Sequence, residues 1–325
     1  MSWSGKRVLV TGGGGFIGSH LCQRLALEGA SVRALVHYRF DGSHGWLDEL
    51  PESKHIEVLA GDIRDRESVA QAMRDQEVVF HLAALISIPS SYQSPSAFFL
   101  TNAMGTMNVL LEARAQGTGK VVHQSSSEVY GSALYLPMNE SHPLVGQSPY
   151  AASKIAADKA VESFHLSYGV PVVTARPFNC YGPQQSERAV VPSIIVQALR
   201  GGPIKLASCD SRRDFTFVAD MVSGLLQVAE KGTLGKVYNL ATGTDVSTTQ
   251  LAGMVQLVLG TKVPIEVDEK RDRPGSSEVT LLCGDALLAT VQLGWWSKTG
   301  LEEGLEVTTA WFREHLGRYS GKYAI

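Results

Sequence analysis

An α/β fold built on a doubly wound parallel sheet is predicted by three observations on this 325-residue sequence. Short apolar, β-branched runs alternate five times with helix-forming stretches in the first ~125 residues, a rhythm that gives parallel strands with helices on both faces. A glycine-rich turn, Thr11-Gly12-Gly13-Gly14-Gly15-Phe16-Ile17-Gly18, separates the first strand from the first helix. A serine-rich segment, Gln124 to Gly131, leaves the carboxyl end of the fifth strand, where open α/β sheets bind ligands.

Composition narrows the function classes. With 44% hydrophobic residues the chain fills one large core or two intimate domains. Its 29 basic and 32 acidic side chains give a net charge of −3, without the basic excess of nucleic-acid binders, so no nucleic-acid partner is expected. Cys22, Cys180, Cys209 and Cys283 are scattered, with neither metal-ligand spacing nor a disulfide framework, so no metal is expected and buried free thiols in a reducing compartment fit best. Met1 to Arg7 is polar and leads into Val8-Leu9-Val10, too short for a signal-peptide core, and no apolar run approaches ~18 residues. A soluble cytoplasmic protein without a membrane partner is expected. No internal repeat, heptad or low-complexity run is present.

The elements follow in order. Lys6 to Val10 reads as a strand and Ser19 to Glu28 as a helix. Between them Gly12, Gly15 and Gly18 sit three apart, which permits a tight turn, close approach to a pyrophosphate and tight helix packing. That makes Gly12, Gly15, Phe16, Ile17 and Gly18 the candidate dinucleotide contacts of a Rossmann-like domain. The second strand, Ser31 to Val36, ends in His37-Tyr38-Arg39 where an Asp or Glu would bind the ribose of NAD. Arg39 suits the 2′-phosphate of NADP, while backbone contacts alone suffice for NAD, so the cofactor is NAD or NADP. A third strand, Ile56 to Leu59, leads to Gly61-Asp62-Ile63. Asp62 either accepts a hydrogen bond from the adenine amine or caps the helix starting near Arg66. The fourth strand, Val78 to His81, runs into Leu82-Ala83-Ala84, mostly small residues that let backbone approach the cofactor. Thr101 to Ala115 is helical with Asn102 near its start, and Val121 to His123 is the fifth strand.

Tyr150 and Lys154 are four apart among good helix formers (Ala151, Ala152, Ala156, Ala157), so their side chains share one helix face and can act on one atom. A phenol of pKa about 10 is a poor base at neutral pH; a nearby ammonium stabilises the phenolate, so Lys154 is expected to lower the Tyr150 pKa and make it a proton acceptor.

The glycine loop, Ser125-Ser126 and Tyr150-x-x-x-Lys154, in this order and spacing, resemble an extended short-chain dehydrogenase/reductase over essentially the whole chain. Within that class 4-epimerases carry small neutral residues after the serine pair, whereas 4,6-dehydratases carry an acid-Glu or Ser-Glu pair before Val/Leu-Tyr-Gly. Ser127-Glu128-Val129-Tyr130-Gly131 is similar to the dehydratases, and the full length is most similar to the N-acetylglucosamine nucleotide dehydratases of legionaminic acid pathways. The resemblance implies C4 oxidation with Tyr150 taking the 4-hydroxyl proton aided by Ser126, removal of the C5 proton by Glu128, loss of water from C6 and return of hydride to C6. Ser127 stands where glucose-type dehydratases have an Asp that protonates the leaving hydroxyl, so either Glu128 passes on its proton or a water positioned by Ser127 does so.

Later elements are a helix continuing to about Tyr168, a strand at Val172 to Ala175, an apolar helix ending at Leu199, strands at Ile204 to Leu206 and Val237 to Leu240, and a helix at Thr248 to Leu259. Trp295-Trp296 and Leu301 to His315 read as packing. The resemblance implies substrate contacts at Asn179, Val191, Arg213, Arg271 and Arg273, the arginines because planar guanidinium forks suit phosphate oxygens. Asx-turn chemistry beside Pro and Gly also explains Asn179. It further implies a homodimer through helices equivalent to Thr101 to Ala115 and Ala151 to Ser167. Residues 1–178, with 214–242 returning, form the expected dinucleotide domain; 179–213 and 243–325 form a smaller, interleaved nucleotide-sugar domain. The expected activity is nucleotide-sugar 4,6-dehydration, with a 4-epimerase or a non-catalytic dinucleotide-binding regulator as alternatives.

Overall fold

The computed structural model describes residues 2–207, 211–271 and 273–321; Cys209 and Asp272 lie outside the described residues. Strands β1 (Arg7–Thr11), β2 (Ser31–Val36), β3 (Ile56–Ala60), β4 (Val78–His81), β5 (Lys120–Gln124) and β6 (Val172–Pro177) join Val237–Leu240 in one seven-stranded sheet. The order is Val237–Leu240, β6, β5, β4, β1, β2, β3, and every neighbouring pair is parallel. The chain therefore reverses direction of growth between β1 and β4, and the crevice beyond their carboxyl ends is the topological switch point.

Strand periodicity explains how one sheet serves two cores. Val8 and Val10 of β1 pack with Leu21 and Leu25 of helix α1 (Phe16–Leu27), whereas Leu9 between them packs with Val69 and Ala72 of helix α2 (Arg66–Met73). Met221 and Leu225 of helix Val218–Lys231 cover the first face; Val109 and Val161, from helices Gly105–Gln116 and Pro149–Tyr168, cover the second. A separate cluster unites Ile194, Leu251, Val255 and Phe312 from helices Val190–Leu199, Thr248–Leu259 and Leu301–Glu314.

Differences from the sequence reading are local. The first helix starts at Phe16 rather than Ser19, because Gly15 in an extended conformation already serves as its N-cap. The helix read from Thr101 opens as a π-helical turn, Phe99–Met104, before regular helix at Gly105. Helix α2 is capped by Asp65, whose carboxylate accepts from the Glu67 and Ser68 amides, so Asp62 is not the cap. Trp295 is buried as expected, but Trp296 is 55% exposed, with the Lys298 ammonium 5.4 Å above its ring. Cys22 and Cys283 are buried free thiols and Cys180 is half-buried.

Strand Arg212–Phe217 binds the second cluster to the sheet. It pairs with Asn179–Tyr181, Asp245–Ser247 and Leu281–Leu282. The buried Asp214 carboxylate accepts from the Thr242 amide (2.9 Å) and hydroxyl (2.7 Å), the Gly243 amide (2.9 Å) and the Gly284 amide (3.2 Å). Asp214→Ala leaves the buried Gly284 amide without an acceptor and frees the half-buried Thr242 and exposed Gly243 donors to water, so urea unfolding is expected to show a loss of about 1–3 kcal/mol. A loss under about 1 kcal/mol would show that the turn is held by other means.

Candidate active site

The glycine loop between β1 and α1 has no room for side chains. Gly12 has φ +74°, and a Cβ there would lie 3.0 Å from the Ala83 backbone at the end of β4; one on Gly18 would lie 2.2 Å from the Gly12 carbonyl oxygen. The first-turn amides of Phe16, Ile17 and Gly18 have no intrahelical acceptor, no side chain caps the helix, and no acid sits in its first turn. These are the requirements of a pyrophosphate cradle, and the residues present fit a dinucleotide. Thr11, which the sequence reading passed over, ties the two strand ends together: its hydroxyl accepts from the Ala83 amide (3.1 Å) and bonds His81 Nδ1 (2.9 Å). Leu82 and Ala84, flanking Ala83, are half-buried at this rim.

The adenosine end is more open. Arg39 is exposed and 3.9 Å from Asp41, so a 2′-phosphate would compete with that carboxylate. Exposed His37 lies 3.9 Å from Asp62. Asp62 is clasped by Arg64, whose hydrogen bonds hold its carboxyl below the usual range. Any adenine amine must share this acceptor. Ile63 is buried against Gly105.

At the β5 end, Ser126 is the N-cap of a 3-10 turn, Ser127–Tyr130, and its Oγ accepts from the Glu128 amide at 3.2 Å. The same hydroxyl is near enough to the Tyr150 phenol to oppose the rise of its pKa. Glu128 is half-buried and its charge acts on Tyr150 and on Arg213. Ser127 is 3% exposed.

Lys154 is sealed under this turn, its Nζ donating to the Gln124 carbonyl at 2.7 Å, and burial pulls its pKa down to about 8. The expected lowering of the Tyr150 pKa is not what the site shows. Burial pushes the phenol up to about 12, Ser126 opposes the shift, and Glu128 and Asp158 reinforce it. Lys154 spends its short contact on the Gln124 carbonyl.

Asp158 continues the Tyr150, Lys154 face by one more turn, a helical periodicity that the sequence contained and the initial reading missed. Its carboxylate is bonded by Ser125 Oγ (2.7 Å), Arg176 Nη2 (2.6 Å) and His123 Nε2 (3.1 Å), and these partners hold it well below the carboxylate range. Arg176 also donates to Tyr130 Oη (2.8 Å), which donates to Asn239 (2.8 Å). Asn102 pins the helix from the other side, donating to Ser153 Oγ (2.9 Å) while Ser153 donates to the Tyr150 carbonyl (2.7 Å).

On the facing side, Arg213 is 5% exposed. Its Nη2 is 3.6 Å from Glu278, whose other oxygen is 3.3 Å from Arg273 Nε. Arg271 is paired with Asp268 (3.3 Å) and reaches Ser193 Oγ at 3.4 Å. Val191 is 1% exposed within the second hydrophobic cluster, so its side chain offers a ligand nothing and only its backbone remains. Asn179 is half-buried, in register with Phe215.

The buried ammonium has a consequence for stability. Between pH 8 and the usual lysine value of 10.5 the unfolded chain binds a proton that the folded chain has released, so this group lowers stability most below pH 8 and the loss fades as pH rises. Lys154→Met is expected to stabilise the dinucleotide-free protein at pH 7 by about 2 kcal/mol, the penalty of burying charge less one hydrogen bond. Urea unfolding should show that advantage vanishing by about pH 10.5. A pH-independent difference would mean that Lys154 is not charged in a dry site.

The GDP-mannose 4,6 dehydratase family profile matches residues 9–308. The dTDP-D-glucose 4,6-dehydratase of Mus musculus is 33% identical over 322 residues, covering 96% of this chain and 90% of that one. Among solved structures, the dTDP-glucose 4,6-dehydratase DesIV of Streptomyces venezuelae, with NAD bound, superposes with a TM-score of 0.89 at 31% identity, over 97% of this chain and 99% of that one. The UDP-glucose 4-epimerase of Thermotoga maritima superposes with a TM-score of 0.87 at 29% identity, over 95% and 99%. A glycine cradle at the switch point, a Ser-Tyr-Lys site beside it and a profile match over nearly the whole length agree: the chain belongs to the GDP-mannose 4,6 dehydratase family, among the extended short-chain dehydrogenase/reductases that act as nucleotide-sugar 4,6-dehydratases.

Proposed function

We propose that this protein is a 4,6-dehydratase of a nucleotide-linked hexose, with UDP- or GDP-N-acetylglucosamine as substrate and the 4-keto-6-deoxy sugar as product. The observation that carries the reading is Glu128, a half-buried carboxylate on the same turn as Ser126, within electrostatic reach of both Tyr150 and Arg213. A 4-epimerase has no use for a base at that point.

NAD or NADP, cradled by Gly12, Gly15, Phe16, Ile17 and Gly18, supplies the hydride acceptor and donor. Tyr150 takes the proton of the 4-hydroxyl, aided by the neighbouring Ser126 hydroxyl, which favours the phenolate. A phenol raised to about 12 by burial needs a neighbouring positive charge to become a base near neutral pH, and Lys154, one helical turn away, is the residue proposed for that role. Once C4 is a ketone the C5 proton is acidified, and Glu128 removes it. Ser127 is buried and has no strong acid function, so the captured proton passes from Glu128 to the leaving 6-hydroxyl. Arg213 and Arg273 hold the diphosphate, Asn179 the sugar side, and Arg271 supports the edge through Ser193.

We infer that residues 1–178 with 214–242 carry the dinucleotide and that 179–213 and 243–325 carry the sugar nucleotide. We also infer a cytoplasmic homodimer: exposed Phe99, Leu100 and Met104, together with Leu166 and Tyr168, give the two long helices an apolar outer face, and no described helix is long and apolar enough to cross a membrane.

Mass spectrometry of products decides between dehydration and epimerisation, because dehydration removes the mass of one water and epimerisation removes nothing. UDP- and GDP-N-acetylglucosamine are expected to turn over in preference to dTDP-glucose; a preference for dTDP-glucose refutes the substrate assignment. Glu128→Gln is expected to lower dehydration about 10²–10⁴-fold with binding intact. Full dehydration by that variant removes Glu128 from the role. Light scattering at twice the 35.0 kDa chain mass is expected for the dimer, and the mass of one chain overturns it.

A further inference from the structure

Glu278 lies between the two guanidinium groups assigned above to the diphosphate. Its carboxylate oxygens are 3.6 Å from Arg213 Nη2 and 3.3 Å from Arg273 Nε, within ion-pair range yet beyond hydrogen-bond length, about 2.7–3.2 Å. The carboxylate compensates charge without satisfying donors: Arg273 Nη1 is buried and, among the described residues, has no hydrogen-bond partner. An orphaned buried guanidinium donor is costly and rare, and it points to an acceptor that the fold does not itself provide.

The backbone beneath Glu278 is held by side chains of other segments, and its own side chain is partly exposed. Gln147 Nε2 donates to the Ser276 carbonyl (3.0 Å) and the Glu278 carbonyl (3.4 Å), Ser277 Oγ donates to the Gln147 carbonyl, and Tyr92 Oη bonds Ser277 Oγ (2.5 Å). The side chain is 29% exposed and can turn to solvent without disturbing that segment. Losing two long ion pairs costs little, whereas leaving two neighbouring guanidinium groups uncompensated costs more.

We propose that Glu278 is a resident counter-ion of the diphosphate subsite: it holds Arg213 and Arg273 apart and is exchanged for the diphosphate of the nucleotide sugar, so that binding is an ion exchange and its return promotes product release. The inference rests on the assignment of those arginines to the diphosphate. A diphosphate diester brings two negative charges and several acceptor oxygens against one carboxylate, which selects it over singly charged sugar acids. Affinity is thereby moderated, because the carboxylate's attraction to the pair is subtracted from the ligand's.

Titration calorimetry of the purified full-length protein with UDP, GDP and dTDP tests this. Glu278→Gln, nearly isosteric and uncharged, is expected to bind the preferred diphosphate about tenfold tighter than the native protein, equivalent to about 1.4 kcal/mol. Glu278→Asp, which keeps the charge, should stay within about threefold of native. In turnover, Glu278→Gln should lower both KM and kcat as product release slows. Equal or weaker binding by Glu278→Gln overturns the counter-ion role. Arg213→Ala separates the two levels: if it weakens binding while Glu278→Gln changes nothing, only the Glu278 inference fails. If the native protein binds none of the three diphosphates at millimolar concentration, the substrate subsite itself is wrong. Thermal unfolding of each variant identifies any that fails to fold.

Discussion

A lysine sealed from water is the constraint on which the site depends. Lys154 is 4% exposed with one short contact, the Gln124 carbonyl, and a lone ammonium in such a place would shed its proton. Asp158 opposes that by its negative charge, one helical turn along. It can remain ionised there because Ser125, His123 and Arg176 satisfy it. The three-residue face Tyr150, Lys154, Asp158 is therefore electrostatically linked: the Asp158 anion helps keep the buried Lys154 charged, and the same anion raises the Tyr150 phenol. His123, in contact with Asp158, is itself depressed by burial, so the cluster does not gain a further positive charge near neutral pH.

The crevice opposite applies the same logic with the signs arranged for a ligand. Arg213 is positioned by a strand gripped on both sides, and the neighbouring Asp214 binds that strand to the turn at Thr242–Gly243 and to Gly284. Glu128 acts on Arg213 from the reaction side and Glu278 from the outer side. Arg213 is thus a buried cation set between two carboxylates. The strand that carries Arg213 and the turn that carries Glu128 are anchored in different hydrophobic clusters, through Phe215 in one and Val129 and Tyr130 in the other.

Much of this was legible in the chain because strand and helix periods are strong local signals. β2, β4, Val237–Leu240 and Thr248–Leu259 have the bounds that their apolar patterns predict. The glycine turn was readable because only glycine tolerates the approach of Gly12 to Ala83 and of Gly18 to Gly12. What failed was whatever depends on burial. The Tyr150 phenol was read as lowered by its lysine, but spacing along a helix does not disclose how much water a site excludes, and desolvation outweighs the neighbour. Asp62 was offered as a possible cap of the helix near Arg66, and the turn geometry gives that place to Asp65, directly before the helix. The Glu278 contact joins residues 65 apart to Arg213 across two small strands, beyond any local pattern.

The same scaffold hosts epimerases and dehydratases, and the reason lies in what the fold does and does not determine. The sheet fixes the place of the glycine turn, of the Tyr150 helix and of the strand that carries Arg213, and both reactions, as proposed, begin from that arrangement. They diverge only after C4 is oxidised, at the fate of the C5 proton. In the proposed reaction that step needs a base within reach of one more carbon, and the 3-10 turn at the end of β5 carries the candidate: Glu128, two residues after Ser126, with its amide held by the Ser126 hydroxyl and its charge acting on Tyr150. On the proposed reading, a neutral residue there would leave the oxidation at C4 in place and remove the elimination. Overall likeness of fold therefore carries little information about which reaction occurs, and a single side chain on a short turn carries most of it.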